Sequence, residues 1–199
     1  MWIDDDSGAG FPMVMQLCRT MGITATLAVV PENVPALLVD SLKQWQQQGG
    51  GIALHGLHHD SWEDWTEEQV AADLRQSREA LARMGIDTAR LSPIVVPPHA
   101  RNTRAIRAAI ERAGCHMVTG ANVVNPGPGC QLWGRLWITR HTDLDQVRRL
   151  LERARKKRAF VVLGTHSSQP DEFSYEKTRA VIAMALDMGF RFGALSEKP

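Results

Sequence analysis

Cysteine is scarce in this chain. Of 199 residues only Cys18, Cys115 and Cys130 are cysteines, and no two of them stand at C-x-x-C spacing. So sparse and odd a set, in a chain long enough to bury its own core, argues against a disulfide framework and against a thiolate zinc site. An excess of either charge is also lacking. The 23 basic residues face 22 acidic ones, and a formal charge of +1 gives no support for nucleic acid as the main partner. The one basic concentration lies between Arg148 and Arg158, interrupted by Leu150, Leu151 and Ala154, and is read as the solvated face of a helix. No stretch of about 18 apolar residues exists to span a membrane. No basic-then-apolar leader opens the chain, so a cytoplasmic location is the expectation. The first strand is short enough that residues upstream of Met1 are expected to extend it. No H-E-x-x-H occurs, which removes the common metalloprotease helix. Repeats, low-complexity tracts and linkers are absent too, and a single domain over residues 1–199 is expected.

What the sequence does contain is alternation. Candidate strands at 2–4, 24–30, 52–54, 94–96, 116–118, 136–139, 160–164 and 191–193 take turns with amphipathic segments at 12–21, 34–48, 67–84, 103–113, 144–158 and 175–188. Glycines follow five of the six helical segments, and Thr66 with Gln69 opens the third at capping-box spacing. This pattern predicts an α/β fold: a distorted (β/α) barrel of seven or eight parallel strands, TIM-barrel-like, with one helix missing between Val118 and Leu136. An open doubly wound sheet fits the pattern alone almost as well. The proline- and glycine-rich stretch 122–134 predicts a long loop at the rim of a site.

Polar chemistry collects at the strand ends. Asp4, Asp5 and Asp6 close the first strand, His55, His58 and His59 follow the third, and Pro97, Pro98, His99 and Arg101 follow the fourth. Arg140, His141 and Asp143 follow the sixth, and His166 the seventh. In an α/β barrel these positions share the carboxyl-end face, where active sites form. Six of the seven histidines stand there, His116 being the exception. Adjacent carboxylates repel one another unless a metal ion, an Arg or Lys side chain or bulk water relieves them. His55 and His59, four apart, can share one side of a helical turn and offer two imidazole nitrogens to one cation. A first-strand acid would then be a third ligand, leaving positions open for water. The plain alternative is two histidines that cap a strand and hydrogen-bond each other.

These residues resemble the motifs of the polysaccharide deacetylase superfamily, the NodB-homology or family 4 carbohydrate esterases. Trp2-Ile3-Asp4-Asp5-Asp6 is similar to the family's Thr-Phe-Asp-Asp-Gly, and His55-Gly56-Leu57-His58-His59 to its His-Ser/Thr-x-x-His. Val96-Pro97-Pro98-His99 matches Arg-Pro-Pro-Tyr in part, and Leu163-Gly164-Thr165-His166 resembles Leu-x-His with one extra residue. The resemblance implies Asp4 as catalytic base, His166 as general acid, and Asp5, His55 and His59 as ligands of one divalent metal ion, zinc being expected. It implies a metal-dependent hydrolase that removes acetyl groups from an N-acetylated (or O-acetylated) carbohydrate or another acetylated small molecule. Pro98, His99, Arg101, Trp133, Trp137 and Arg140 are the candidate substrate contacts, with Trp62 and Trp65 as candidate sugar-stacking rings.

Three departures from the family pattern stand out. Val96 occupies the place of the Arg that braces the base, leaving Arg101 or Arg140 to reach in from the rim. Asp6 replaces a glycine. The fourth motif, an Asp-rich element with a Trp, has only Asp143 with Trp133 or Trp137 to match it. A catalytically impaired or regulatory metal-binding member of the same fold, or a non-catalytic binding module, is the alternative that Val96 supports.

Overall fold

Strand and helix alternate through the first two thirds of the chain, in a computed structural model that describes residues 1–6, 8–120, 124–127 and 130–194, the Asp6 side chain excepted. In chain order the elements are β1 (Trp2–Asp6), α1 (Phe11–Met21), β2 (Thr26–Val29), α2 (Val39–Gln47), β3 (Gly51–Leu54), α3 (Glu67–Arg83) and β4 (Ile94–Val95). They continue with α4 (Arg104–Arg112), β5 (His116–Thr119), β6 (Leu132–Gly134), β7 (Leu136–Trp137), α5 (Leu144–Lys157), β8 (Leu163–Thr165) and α6 (Tyr175–Asp187). Thr66 caps α3 as expected, its side chain accepting from the Gln69 amide while Gln69 reaches back.

All eight strands pair in parallel, in the order β6-β5-β4-β3-β2-β1-β8-β7. The two edge strands, β6 and β7, are consecutive in the chain with only Arg135 between them. The sheet is therefore rolled until its edges meet at one residue, giving the nearly closed barrel that the alternation predicts. Among the described residues no helix separates β5, β6 and β7, which accounts for the gap expected before Leu136.

Two expectations differ from what is found. The eighth strand is Leu132–Gly134, not residues 191–193: β8 already has β1 on one side and β7 on the other, so no free edge remains beside it. The helix expected from residue 34 begins only at Val39. Pro35 is extended (ψ 135°), and short 3-10 turns at Pro31–Asn33 and Ala36–Leu38 take up the approach. Among the described residues no helix is long and apolar enough to cross a membrane.

The pleat sorts the side chains into two layers. Ile3, Ala28, Ala53, Ile94, Val96, Val118, Trp133 and Val162 pack together inside the barrel. Their neighbours Trp2, Leu27, Ile52, Leu54, Val95, Met117 and Leu163 face outward onto the helices. Burying each such aliphatic side chain stabilises by roughly 1.5–3 kcal/mol, so both layers are needed to offset chain entropy. The same alternation decides which polar residues can meet. Asp5 shares the inner parity of Ile3, and His55 that of Ala53. Arg135 follows Trp133, and His166 follows Val162 and Gly164.

Gly164 makes room at the seam: a Cβ there would stand 2.9 Å from Arg135 Cδ and 3.4 Å from the Trp137 ring. Gly164→Ala is expected to lower unfolding free energy in urea by ~1–3 kcal/mol through overpacking. Gly127→Ala, whose Cβ would have nothing within 4 Å, should stay within ~0.5 kcal/mol of the parent in the same measurement.

Candidate active site

The inward parity of β1 carries Asp5 to the carboxyl end of the barrel, where it is 1% exposed. A carboxylate so buried needs a partner, and Arg135 supplies it: Nη1 donates to Asp5 Oδ1 at 2.7 Å, with both side chains 1% exposed. The Arg135 guanidinium also lies 3.9 Å from the centre of the Trp137 ring, two residues along the seam. Burial alone would lift the Asp5 carboxyl. Arg135, the His166 hydrogen bond and the His55 ring outweigh it and hold the group well below the usual carboxylate range.

Beyond β3 the chain makes a tight irregular loop, with Gly56 at φ 80° and His59 at φ 66°. The helical turn expected for His55 and His59 is not formed. The left-handed residues instead fold the loop so that the two rings meet edge-on at 4.7 Å between centroids. His58 points to solvent. Buried His55 contacts the Val96 carbonyl through Nδ1 at 2.7 Å, which fixes the tautomer: Nδ1–H donates and Nε2 keeps its lone pair. That Nε2 lies 3.7 Å from Asp5 Oδ2. Burial pushes the His55 pKa down to about 4 against the pull of Asp5, so the ring is neutral at neutral pH. The loop is held from α3 by Asp73, whose Oδ1 accepts from the Leu57 amide at 3.0 Å and the Ser77 hydroxyl at 3.2 Å.

His166 enters from the end of β8. Its Nε2 is 3.2 Å from Asp5 Oδ2, its Nδ1 3.6 Å from Glu172, and its ring 4.2 Å from that of Trp137. His99, turned by consecutive left-handed residues (φ 55° at His99 and 52° at Ala100), brings its ring to 4.6 Å from His59. Asp5, His55, His59, His99, Trp137 and His166 all line one cavity of about 620 Å³.

Several expected residues lie elsewhere. Asp4 has the outward parity of Trp2 and is sealed from the cavity. Its oxygens accept from the Thr165 hydroxyl (2.5 Å), the Ser167 amide (3.0 Å) and the Ser167 hydroxyl (2.5 Å). Burial, with the neighbouring Asp5 charge, pushes the Asp4 carboxyl up to about 7 despite those bonds. Trp133 is fully buried and stacks on His116 (4.5 Å, 13°), inside the barrel and not in the cavity lining. Trp62 is fully buried as well, so only Trp65 of that pair is open to solvent. Arg101 pairs with Glu63 and Arg140 with Asp171 out on the rim, and Pro98 is buried. Neither rim arginine braces an acid of the first strand. Arg135 does so, and sequence reasoning overlooked it. The signal was its place two residues before Trp137 and two after Trp133, on one face of an extended segment. The Asp6 side chain and part of the 122–134 loop lie outside the described residues.

The donors present suit a divalent ion in kind: a neutral imidazole with its lone pair inward, a second imidazole in ring contact with it, and one Asp5 oxygen beside them. Among the described residues, however, no group of three His, Cys, Asp or Glu side chains is already drawn together tightly enough to hold an ion.

Comparison with known proteins agrees with this fold. The family model described as polysaccharide deacetylase matches residues 1–118. No curated protein matches the chain. A family 4 acetyl xylan esterase from Clostridium thermocellum, solved with a cobalt ion, superposes with TM-score 0.69 at 13% identity over 96% of this chain and 85% of that one. A family 4 carbohydrate esterase from Streptomyces lividans, solved with acetate, gives 0.67 at 15% identity over 98% and 91%. A CE4 family pseudoenzyme from Bacillus anthracis gives 0.67 at 11% identity over 99% of this chain and 63% of its own.

Burial raises the Asp73 carboxyl above its ordinary value. The folded protein therefore holds this proton more tightly than the unfolded chain, and stability is lost as pH climbs from the ordinary carboxylate value through the raised one. Urea unfolding at pH 4 and pH 7 should show Asp73→Asn gaining on the parent as pH rises. An unchanged difference between the two pH values would contradict this.

Proposed function

The chain belongs to the polysaccharide deacetylase family, and we propose that it is a metal-dependent carbohydrate deacetylase in which Asp5 does the proton work expected of Asp4. The observation that supports this most is the meeting of Asp5 Oδ2 with His55 Nε2 on one side and His166 Nε2 on the other, at the floor of the cavity. A divalent ion, zinc by its donor preferences, would be held by His55 and His59 beside Asp5, where it would acidify a water and draw charge from an acetyl carbonyl.

The remaining steps belong to the chain's own residues. Arg135 keeps Asp5 ionised and fixes its plane by holding Oδ1, which leaves Oδ2 to accept a proton from the attacking water. His166, flanked by Asp5 and Glu172, gives its proton to the departing amine nitrogen. Water adds to the acetyl carbon, the carbon–nitrogen bond breaks, and acetate and a free amine result. Trp137 walls the cavity and limits how the His166 ring can turn. Arg135 stands in for the brace that Val96 cannot provide. Val96 contributes only its carbonyl, which sets the His55 tautomer. Asp4, sealed behind Thr165 and Ser167, ties β1 to β8 and touches no substrate.

A second reading is a non-catalytic member of the same fold. It is favoured by the Arg135 clasp on Asp5, which already neutralises part of the charge an ion would need, and one of the structural neighbours is itself a pseudoenzyme.

Acetate release from N-acetylglucosamine oligomers and from acetyl esters, with zinc- or cobalt-loaded protein, separates the two readings. Under the first, Asp5→Asn and His166→Ala each lower turnover by ~10²–10⁴-fold, the usual worth of a positioned acid or base. His55→Ala loses the ion by elemental analysis, and Asp4→Asn keeps both ion and turnover if it folds. No acetate from either substrate class would leave the second reading standing.

A further inference from the structure

We propose that the substrate is an anionic acetylated glycan, whose carboxylate or phosphate binds in a second groove that runs from the catalytic cavity along α5; this rests on the deacetylase reading above. The groove has a volume of about 610 Å³. Trp137 and Thr139 line both it and the cavity, so the two meet there. A chain whose acetylated unit sits over Asp5 would pass its neighbouring unit across Trp137 into the groove.

The far wall is one face of α5. Gln146, Arg149, Leu150 and Arg153 fall at i, i+3, i+4 and i+7, and all four line the groove. Leu150 and Leu136, both half-buried, offer an apolar strip suited to the carbon face of a sugar. Arg149 and Arg153 stand one turn apart, about 6 Å along the helix axis. Both are exposed, and among the described residues neither makes a hydrogen bond or ion pair. Arg101, Arg112 and Arg140 are instead matched to Glu63, Glu67 and Asp171. Among the described residues the one acid lining the groove is Asp143, whose Oδ1 accepts the Asp145 and Gln146 amides at the start of α5. Two unmatched guanidinium forks above an apolar strip recognise a carboxylate or phosphate on a sugar chain. Because the whole chain carries only +1, this preference is local to the groove and not a general attraction for anions.

The test uses metal-loaded full chain and three N-acetylated oligosaccharides of equal length: one neutral, one with a carboxylate on the unit next to the acetylated one, and one with a phosphate there. The expected kcat/KM favours at least one anionic substrate over the neutral one by ~10-fold at low ionic strength, shrinking in salt as solvent-exposed charges are screened. The double variant Arg149→Gln/Arg153→Gln brings that ratio to near one, while Arg148→Gln, outside the groove, leaves it unchanged. Which anion is preferred identifies the source of the charge. Equal rates on all three substrates, or a preference that survives the double variant, overturns the proposal. If no substrate is turned over, the deacetylase reading has failed, and calorimetric titration of the same oligosaccharides still decides the groove. Tighter anionic binding that the double variant abolishes supports it, and equal binding overturns it.

Discussion

The buried pair of Asp5 and Arg135 is the interaction on which the rest of the site depends. Neither group tolerates the barrel interior alone, because an unpaired buried charge costs several kcal/mol, and removing one partner typically costs ~3–5 kcal/mol. Together they fix three things. The pair draws the seam between β6 and β7 toward β1, on the opposite side of β8. It holds a carboxylate ionised between two histidines, His55 and His166. It also places the Trp137 ring, which lies against the guanidinium, where it walls both the cavity and the groove along α5.

Much of this was legible in the sequence. Alternating strands and helices, the Thr66 cap, and the gathering of histidines at the strand ends required only periodicity and turn chemistry. Where the structure departs from that pattern, the strand pleat supplies the reason. Asp4 and Asp5 are neighbours, and a strand sends neighbours to opposite faces. Trp2 and Ile3 already show which face is which, since one packs against helices and the other inside the barrel. The pleat therefore brings Asp5, and not Asp4, to the cavity lining. The His55 and His59 rings do meet, but from a loop and not from the helical turn their spacing suggests, because Gly56 at positive φ favours a loop.

Other features could not be read locally. Whether Arg101, Arg135 or Arg140 reaches the first strand depends on where the sheet closes, a relation spanning 130 residues. The sequence pattern points to 191–193 for the eighth strand, whereas the short run Leu132–Gly134, with its half-exposed leucine and a terminal glycine, carries little strand signal and owes its state to pairing with β5. Tertiary pairing decided it. Val96, after β4, joins the apolar interior, and the guanidinium that pairs with the first strand comes from the seam.

The closure at Arg135 has a further consequence. Most barrels are shut by a ladder of hydrogen bonds between a first and a last strand that are distant in sequence. This one is shut by covalent continuity, since the strands that would have to separate are joined through a single residue. The ring therefore cannot breathe at that point without rotating the very backbone that carries the guanidinium. Mechanical integrity and the electrostatic setting of the Asp5 carboxylate are in this way a single degree of freedom, and a circular permutant opened between Gly134 and Leu136 would surrender both at once.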